Sequence, residues 1–269
     1  MNTDMTTPAA AHLLALRETG RCGARLAESY RPRSLEAAWQ IQRRVSEERA
    51  TRCGIHVAGW KCGLPGPEKW VVAPIYSDLL VDAAVGVPSS ENPIHMEPEF
   101  AFRIGRNLPA RVYDYRDDTI DDAVDAVHLA IEIVGSRYAD ASHASFAELL
   151  ADGLMNRGLL IGPQVYGIPL EPAFPLGFEV EGGRRIDLTA RHGDGNPRLA
   201  LYWLANFLRS RGIGLEAGQW VITGSLAGVL ELPASRGATL RFGPFGEIRL
   251  PGLYTSEADH AVTQKRSLP

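Results

Sequence analysis

The sequence predicts an α+β protein in which a helical N-terminal segment leads into a predominantly β body. Helical periodicity is confined largely to residues 10–57, short β-type runs punctuated by glycine and proline begin at Gly59, and one well-signalled helix interrupts the β region. In the first segment Ala38, Ile41 and Val45 recur at helical spacing, and Ser34 stands where it caps a second helix.

The runs HVAGWKCGL, EFAFRIG, VHLAIEIVG, RGLLIGPQVYG, GQWVITGSLAGVLEL and TLRFGPFGEIRL follow. They are too many and too irregularly spaced for the strand–helix alternation of a doubly wound parallel sheet. The interrupting helix has Asn196 as its cap, Pro197 at its first position, an apolar stripe of Leu201, Leu204, Ala205 and Leu208, and Gly212 just past its end. The expected organisation is a helical segment over 1–58, one catalytic β domain over 59–255 and a loosely held polar tail over 256–269, within the 269 residues of the chain.

Lys and Arg total 28 against 32 Asp and Glu, a net charge of -4 that supplies no field for nucleic acid or an anionic membrane. Cys22, Cys53 and Cys62 are odd in number and lack C-x-x-C spacing, which argues against a disulfide framework and a zinc cluster and for reduced thiols. No basic leader precedes an apolar core at the N-terminus, and no apolar run reaches about 18 residues. A cytoplasmic location is the expectation.

The stretch IHMEPEFAFRIG sets Glu97 and Glu99 on one strand face and Phe100, Phe102 and Ile104 on the other. Two carboxylates on one face fit a solvated surface as well as a ligand pair. Pro98 cannot donate a ladder hydrogen bond, which suggests an edge strand or a bulge. His95, two residues before Glu97, reads as a neighbour of the pair, not a ligand.

Glu132 differs, because LAIEIV is apolar on both faces and a lone buried carboxylate costs several kcal/mol unless paired, protonated or metal-bound. An arginine such as Arg137 or Arg103 is one compensating partner; a divalent cation shared with Glu97 and Glu99 is the other. Three carboxylates suit Mg²⁺ or Mn²⁺, whereas zinc more often recruits His or Cys. Lys61, between glycines in GWKCGL, is a surface lysine on composition alone; beside a metal in a dry pocket its pKa would fall towards the range useful for proton transfer. The backbone of TGS at 223–225 can hold a carboxylate, and Asp152 and Asn156 read as polar turn residues.

Taken in order, several segments resemble the 2-oxo-acid hydratase and decarboxylase group of the fumarylacetoacetate hydrolase superfamily. AAWQIQ is similar to its A-Y-x-I-Q helix, GWKCGL to G-[YW]-K-x-G-L, EPEFAF to E-P-E-[IF]-A-F, and AIEIVGSRY to A-I-E-[IV]-[IV]-D-S-R. GNPRLALYWLANFLRSRGIGLEAGQWVITGSL resembles the group's G-[ND]-P…W-L-A-N helix followed by L-x-A-G…[TS]-G-S. The resemblance implies a mixed, strongly twisted β roll with peripheral helices, metal ligands at Glu97, Glu99 and Glu132, an active-site lysine at Lys61, and substrate contacts at Leu64, Ile75, Ser136, Arg137 and Ser225.

The chain departs from the group at Pro65 and Gly66, where Thr-Ser is usual, at Ile75 and Ser77 in PIYS, where hydratases carry P-D-[FY]-G, at Gly135 for Asp, and at Gly153 where A-D-N is usual. Ile75 cannot activate water, and PIYS resembles P-I-[YH]-G of the decarboxylases, so the resemblance favours decarboxylation of a 4-oxalocrotonate-like substrate. Hydration of a 2-hydroxypenta-2,4-dienoate, a diverged tautomerase or C–C lyase role, and a catalytically silent partner subunit are the alternatives. A homo-oligomer, alone or with a related hydratase or decarboxylase, is the expected assembly.

Overall fold

The computed structural model describes residues 6–85, 93–166 and 173–251; the tail predicted over 256–269 lies outside the described residues. Helix α1 (Thr6–Thr19) and helix α2 (Leu35–Cys53) form the N-terminal segment. Between them the helix that 10–57 suggested is broken, with only a short 3-10 turn at Glu28–Tyr30: Gly20, left-handed at φ 66°, ends α1. The extended arm beyond it bridges the chain near Tyr138, with the Gly23 N–H donating to the Arg137 carbonyl at 2.9 Å. Ser34 caps α2 as expected, accepting from the Ala37 N–H at 3.1 Å.

Strands β1 (Val57–Gly66) and β2 (Lys69–Tyr76) form a hairpin, followed by β3 (Leu80–Asp82). The long strands β4 (Ile94–Ile104) and β5 (Val124–Val134) are connected through helix α3 (Asp117–Asp121). Helix α4 (Phe146–Ala151) precedes β6 (Asn156–Val165), β7 (Phe174–Val180) and β8 (Arg185–Ala190). Helix α5 (Arg198–Ser210) leads into β9 (Trp220–Ile222), β10 (Leu230–Leu232), β11 (Ala238–Phe242) and β12 (Glu247–Leu250).

The larger sheet runs β2-β1-β9-β4-β5-β6-β3, with β10 also paired to β4, and a smaller sheet runs β12-β11-β7-β8. Pairing is antiparallel except for β1 with β9 and β3 with β6, so the large sheet is mixed, and it is strongly curled. Helices and strands share one apolar core: Trp39 of α2 meets Phe207 of α5 edge-on at 5.3 Å and Trp60 of β1 at 6.1 Å. Fully burying a side chain of this kind contributes roughly 2–3 kcal/mol. Helix α5 starts one residue later than predicted, with Pro197 at the cap, while the Asn196 side chain still accepts from the Arg198 N–H at 2.9 Å.

Pro98 corrects the expectation of an edge or bulge. Strand β4 is central, paired along one side with β5 and along the other with β10 at residues 94–96 and β9 at 101–103. Pro98 lies in the gap between β10 and β9, where the loop after β9 inserts and the Leu226 N–H donates to the Pro98 carbonyl at 2.8 Å. The carbonyl and nitrogen of one strand residue point to the same side, so the missing proline N–H faces this gap and costs the β4–β5 ladder nothing.

Candidate metal centre

Glu97 and Glu99 share one face of β4, and the ladder register sets Glu97 directly opposite Glu132 of β5. One oxygen from each of the three carboxylates lies within 4.8 Å of the others. Glu99 is 1% exposed and Glu132 fully buried. Like charges directly opposite repel, and burying each costs several kcal/mol, so the cluster needs cations.

One of them is Lys61. Its Nζ lies 2.8 Å from Glu132 Oε1 and donates to the Leu154 carbonyl at 3.1 Å. The arginines considered as partners for Glu132 are engaged elsewhere, Arg137 with Asp152 and Arg103 with Asp125. Asn156, which opens β6, donates its Nδ2 to the same Oε1 at 2.8 Å, so it is not the plain turn residue expected. Glu132 Oε2 is buried and makes no hydrogen bond.

Burial pulls the Lys61 pKa down, but the charge of Glu132 and its hydrogen bond, with Glu99 and Glu97 behind them, hold it above the ordinary lysine value. The expected fall therefore does not occur in the metal-free protein, because three carboxylates face the ammonium. Burial and then Glu132 push Glu99 well above the usual carboxylate range, offset in part by Lys61 and by the Gly224 N–H, which donates at 2.8 Å. The same two causes raise Glu97. The TGS backbone thus holds a carboxylate, and it is the protein's own.

The Lys61 acceptor rests on an unusual turn. Gly153, Leu154 and Met155 are successively left-handed, at φ 88°, 50° and 64°. Two left-handed non-glycine residues in a row cost free energy and persist only where the surroundings impose them. Here buried Asp152, which closes α4, is held by Arg17 from α1 at 3.6 Å and by Arg137 at 3.5 Å. Arg137 also donates to the Asn156 carbonyl at 2.7 Å. It therefore braces the centre from behind.

The carboxylates open into a cleft of about 280 Å³. Leu64 and Ser225 line it, and Ser225 Oγ donates to the Gly228 carbonyl at 3.0 Å. Ile75, Ser136 and Arg137 do not line it. Ile75 is fully buried in a cluster with Ala101, Ala130, Leu159 and Ile222, each from a different strand of the large sheet, and Ser136 Oγ accepts from the Tyr138 N–H at 2.9 Å. The departures at Pro65, Gly135 and Gly153 also stand outside the lining.

The loop before α5 adds His192 and Asp194, which nothing in the sequence singled out beyond their proximity to GNP. The Asp194 N–H donates to His192 Nδ1 at 3.2 Å and His192 Nε2 meets the Thr223 carbonyl at 3.1 Å, which assigns the proton to Nε2 and occupies both nitrogens. Burial lowers the His192 pKa, consistent with a neutral ring. Asp194 is half-buried, and its Oδ2 accepts from the Leu64 N–H at 3.3 Å.

A divalent cation fits this donor set. Glu132 offers Oε1 to Lys61 and Asn156 and leaves Oε2 buried without a hydrogen bond, one oxygen of each carboxylate lies within 4.8 Å of the others, and an oxygen-only cluster suits Mg²⁺ or Mn²⁺.

Fold and site together define a class: the fold is that of fumarylacetoacetate hydrolase family proteins. In sequence the chain is similar to 2-keto-4-pentenoate hydratases and 4-oxalocrotonate decarboxylases. It is 26% identical over 246 residues to the 2-keto-4-pentenoate hydratase of Paraburkholderia xenovorans (strain LB400), covering 84% of this chain and 87% of that one. To the 4-oxalocrotonate decarboxylase of Pseudomonas putida it is 26% identical over 219 residues, covering 78% and 81%. The fold matches the structure of 4-oxalocrotonate decarboxylase from Pseudomonas putida G7, complexed with magnesium and adipate, with a TM-score of 0.73 at 17% identity over 93% of this chain and 98% of that one. A fumarylacetoacetate hydrolase family protein from Yersinia pestis CO92 aligns with a TM-score of 0.51 at 18% identity over 72% and 92%. No family model matches the chain. Among the described residues no helix is long and apolar enough to cross a membrane.

Proposed function

We propose that this chain is a divalent-metal-dependent lyase of unsaturated 2-oxo acids, decarboxylating a 4-oxalocrotonate-like substrate (2-oxohex-3-enedioate). The observation that carries the reading is the cluster of Glu97, Glu99 and Glu132 with Lys61 against it, at the base of a cleft. Similarity to hydratases and decarboxylases of unsaturated 2-oxo acids supports the substrate class.

The three glutamates would hold Mg²⁺ or Mn²⁺, which supplies Lewis-acid stabilisation of the negative charge developing on the substrate's 2-oxygen. Lys61 has three N–H donors and uses two, on Glu132 and the Leu154 carbonyl, leaving one for substrate. Because its neighbours keep it protonated, Lys61 serves as the acid. As the C–CO₂ bond breaks, its electron pair enters the conjugated 2-oxo group, and a proton delivered at carbon completes the product.

Decarboxylation needs no base to activate water, and the cleft is poor in free bases: Lys61 is held protonated and both His192 nitrogens are occupied. Asp194 supports a second reading, hydration, since a half-buried carboxylate in the cleft can orient and deprotonate water. A homo-oligomeric assembly and a cytoplasmic location belong to the same proposal.

Mass-resolved product analysis decides between them. With saturating Mg²⁺ or Mn²⁺, loss of CO₂ from 2-oxohex-3-enedioate supports the main reading, and gain of water by 2-hydroxypenta-2,4-dienoate, abolished by Asp194→Asn, supports the second. No turnover of either compound overturns both.

A further inference from the structure

The cleft has a second cation, Lys69, to which the proposed chemistry gives no role. In the β1–β2 hairpin Lys61 pairs with Ala73, Gly63 with Val71 and Gly66 with Lys69. Directly paired residues share a face, so Lys61, Gly63, Val71 and Lys69 all face the cleft and all line it. The lining is graded along the hairpin: the carboxylates and Lys61 at one end, then Gly63 and Val71 with Leu64 beside them, and Lys69, two residues before Val71, at the other end. Lys69 stands four residues along β2 from Ala73, a backbone distance of about 13 Å at the usual rise per residue.

Lys69 is exposed, rests its Nζ 5.9 Å from the Phe146 ring centroid and makes no ion pair among the described residues. Lys61 is spent on Glu132 and the Leu154 carbonyl. Asp194 also lines the cleft and would repel a second carboxylate, but its Oδ2 is engaged by the Leu64 N–H of β1 at 3.3 Å. A chain with a chelating 2-oxo acid head, an apolar middle and a terminal anion matches this gradient from end to end.

We propose that Lys69 is a specificity-determining residue that reads the distal carboxylate of a six-carbon 2-oxo diacid and so sets dicarboxylates above monocarboxylates of equal length. This rests on the proposed function for the seat of the 2-oxo acid head, and adds the residue that recognises the other end. If the distal carboxylate leaves as CO₂, its charge disappears in the transition state, so an ion pair with Lys69 tightens ground-state binding without accelerating the step. Lys69 then lowers KM and does not raise kcat.

The experiment is calorimetric binding of 2-oxoadipate and 2-oxohexanoate to the Mg²⁺-loaded protein, wild type, Lys69→Met and Lys69→Arg. The two ligands differ only in the terminal carboxylate. The wild type is expected to prefer 2-oxoadipate by about fivefold, the yield of one partly exposed charge pair, with the preference lost in Lys69→Met and kept in Lys69→Arg. Turnover of 2-oxohex-3-enedioate should show a raised KM in Lys69→Met with kcat unchanged or higher. Equal binding of the two ligands by the wild type, or a preference that survives Lys69→Met, overturns the role of Lys69 and leaves the proposed function standing. Failure of the wild type to bind either ligand overturns the proposed function and this inference with it.

Discussion

Lys61 Nζ lies 2.8 Å from Glu132 Oε1, where the lysine ammonium stands in the field of three converging carboxylates. The pair divides the two oxygens of Glu132: one serves the lysine and Asn156, and the other, buried without a hydrogen bond, is the one the proposed function gives to a cation. A cation bound there and the ammonium repel one another, and this opposition gives the first prediction.

Lys61→Met removes the ammonium and leaves its carboxylate partner buried. The metal-free variant should lose about 3 kcal/mol of stability in denaturant titrations, the usual cost of stripping one partner from a buried pair. Mn²⁺ affinity, read by titration calorimetry, should hold or rise because a competing positive charge has gone. Turnover should be lost. A fall in Mn²⁺ affinity as large as the fall in turnover would make Lys61 a support of the site and not its acid.

Glu132→Gln keeps the shape but removes the charge at the centre of the cluster. Mn²⁺ affinity should drop by roughly 100-fold or more, the scale above the 10–100-fold that supporting residues typically cost. Unchanged affinity would mean that Glu132 is not a ligand.

Burial and mutual repulsion raise the pKa of Glu99 and Glu97 in the folded protein. The folded state therefore holds protons that the unfolded chain has released, and stability falls as pH rises above about 4.3, the ordinary glutamate value, towards the raised folded values. Thermal melts of metal-free protein at about pH 5 and about pH 8 should show the lower midpoint at the higher pH, with Mg²⁺ restoring more at pH 8 than at pH 5. A midpoint independent of pH without metal would contradict the buried charge cluster.

Gly153 is left-handed at φ 88°, and a Cβ there would come within 3.1 Å of Arg17 Nη2. Gly153→Ala should cost about 1–2 kcal/mol and, by moving the Leu154 carbonyl off Lys61, reduce kcat. Gly153→Asn should be milder, since asparagine tolerates the left-handed region, and asparagine is the residue usual at this position in the related A-D-N pattern. Equal destabilisation by both would place the difficulty in the crowding by Arg17, not in the backbone.

Much of the site could be read from single residues because their problem is local. Glu132 sits in a strand apolar on both faces, so its need for a counter-charge is a property of the strand itself, and the strand period sets Glu97 and Glu99 on one face. The Ser34 cap and the stripe of α5 are legible for the same reason. Asn156, the Leu154 carbonyl and Lys69 are not: Asn156 looks like a turn residue until the turn is seen to aim it at Glu132, and Lys69 gains meaning only from its register beside Lys61. Ile75, Ser136 and Arg137 looked like substrate contacts by similarity of sequence, and the fold turns them into the core or behind the centre.

What the sequence by itself determined is the set of charges that had to be reconciled, because the cost of burying a carboxylate depends on its own strand. The tertiary structure decided which group answers which carboxylate, since Lys61, Asn156 and the Gly224 N–H come from separate elements, and only the folding of the sheet brings them within hydrogen-bonding distance of one strand pair.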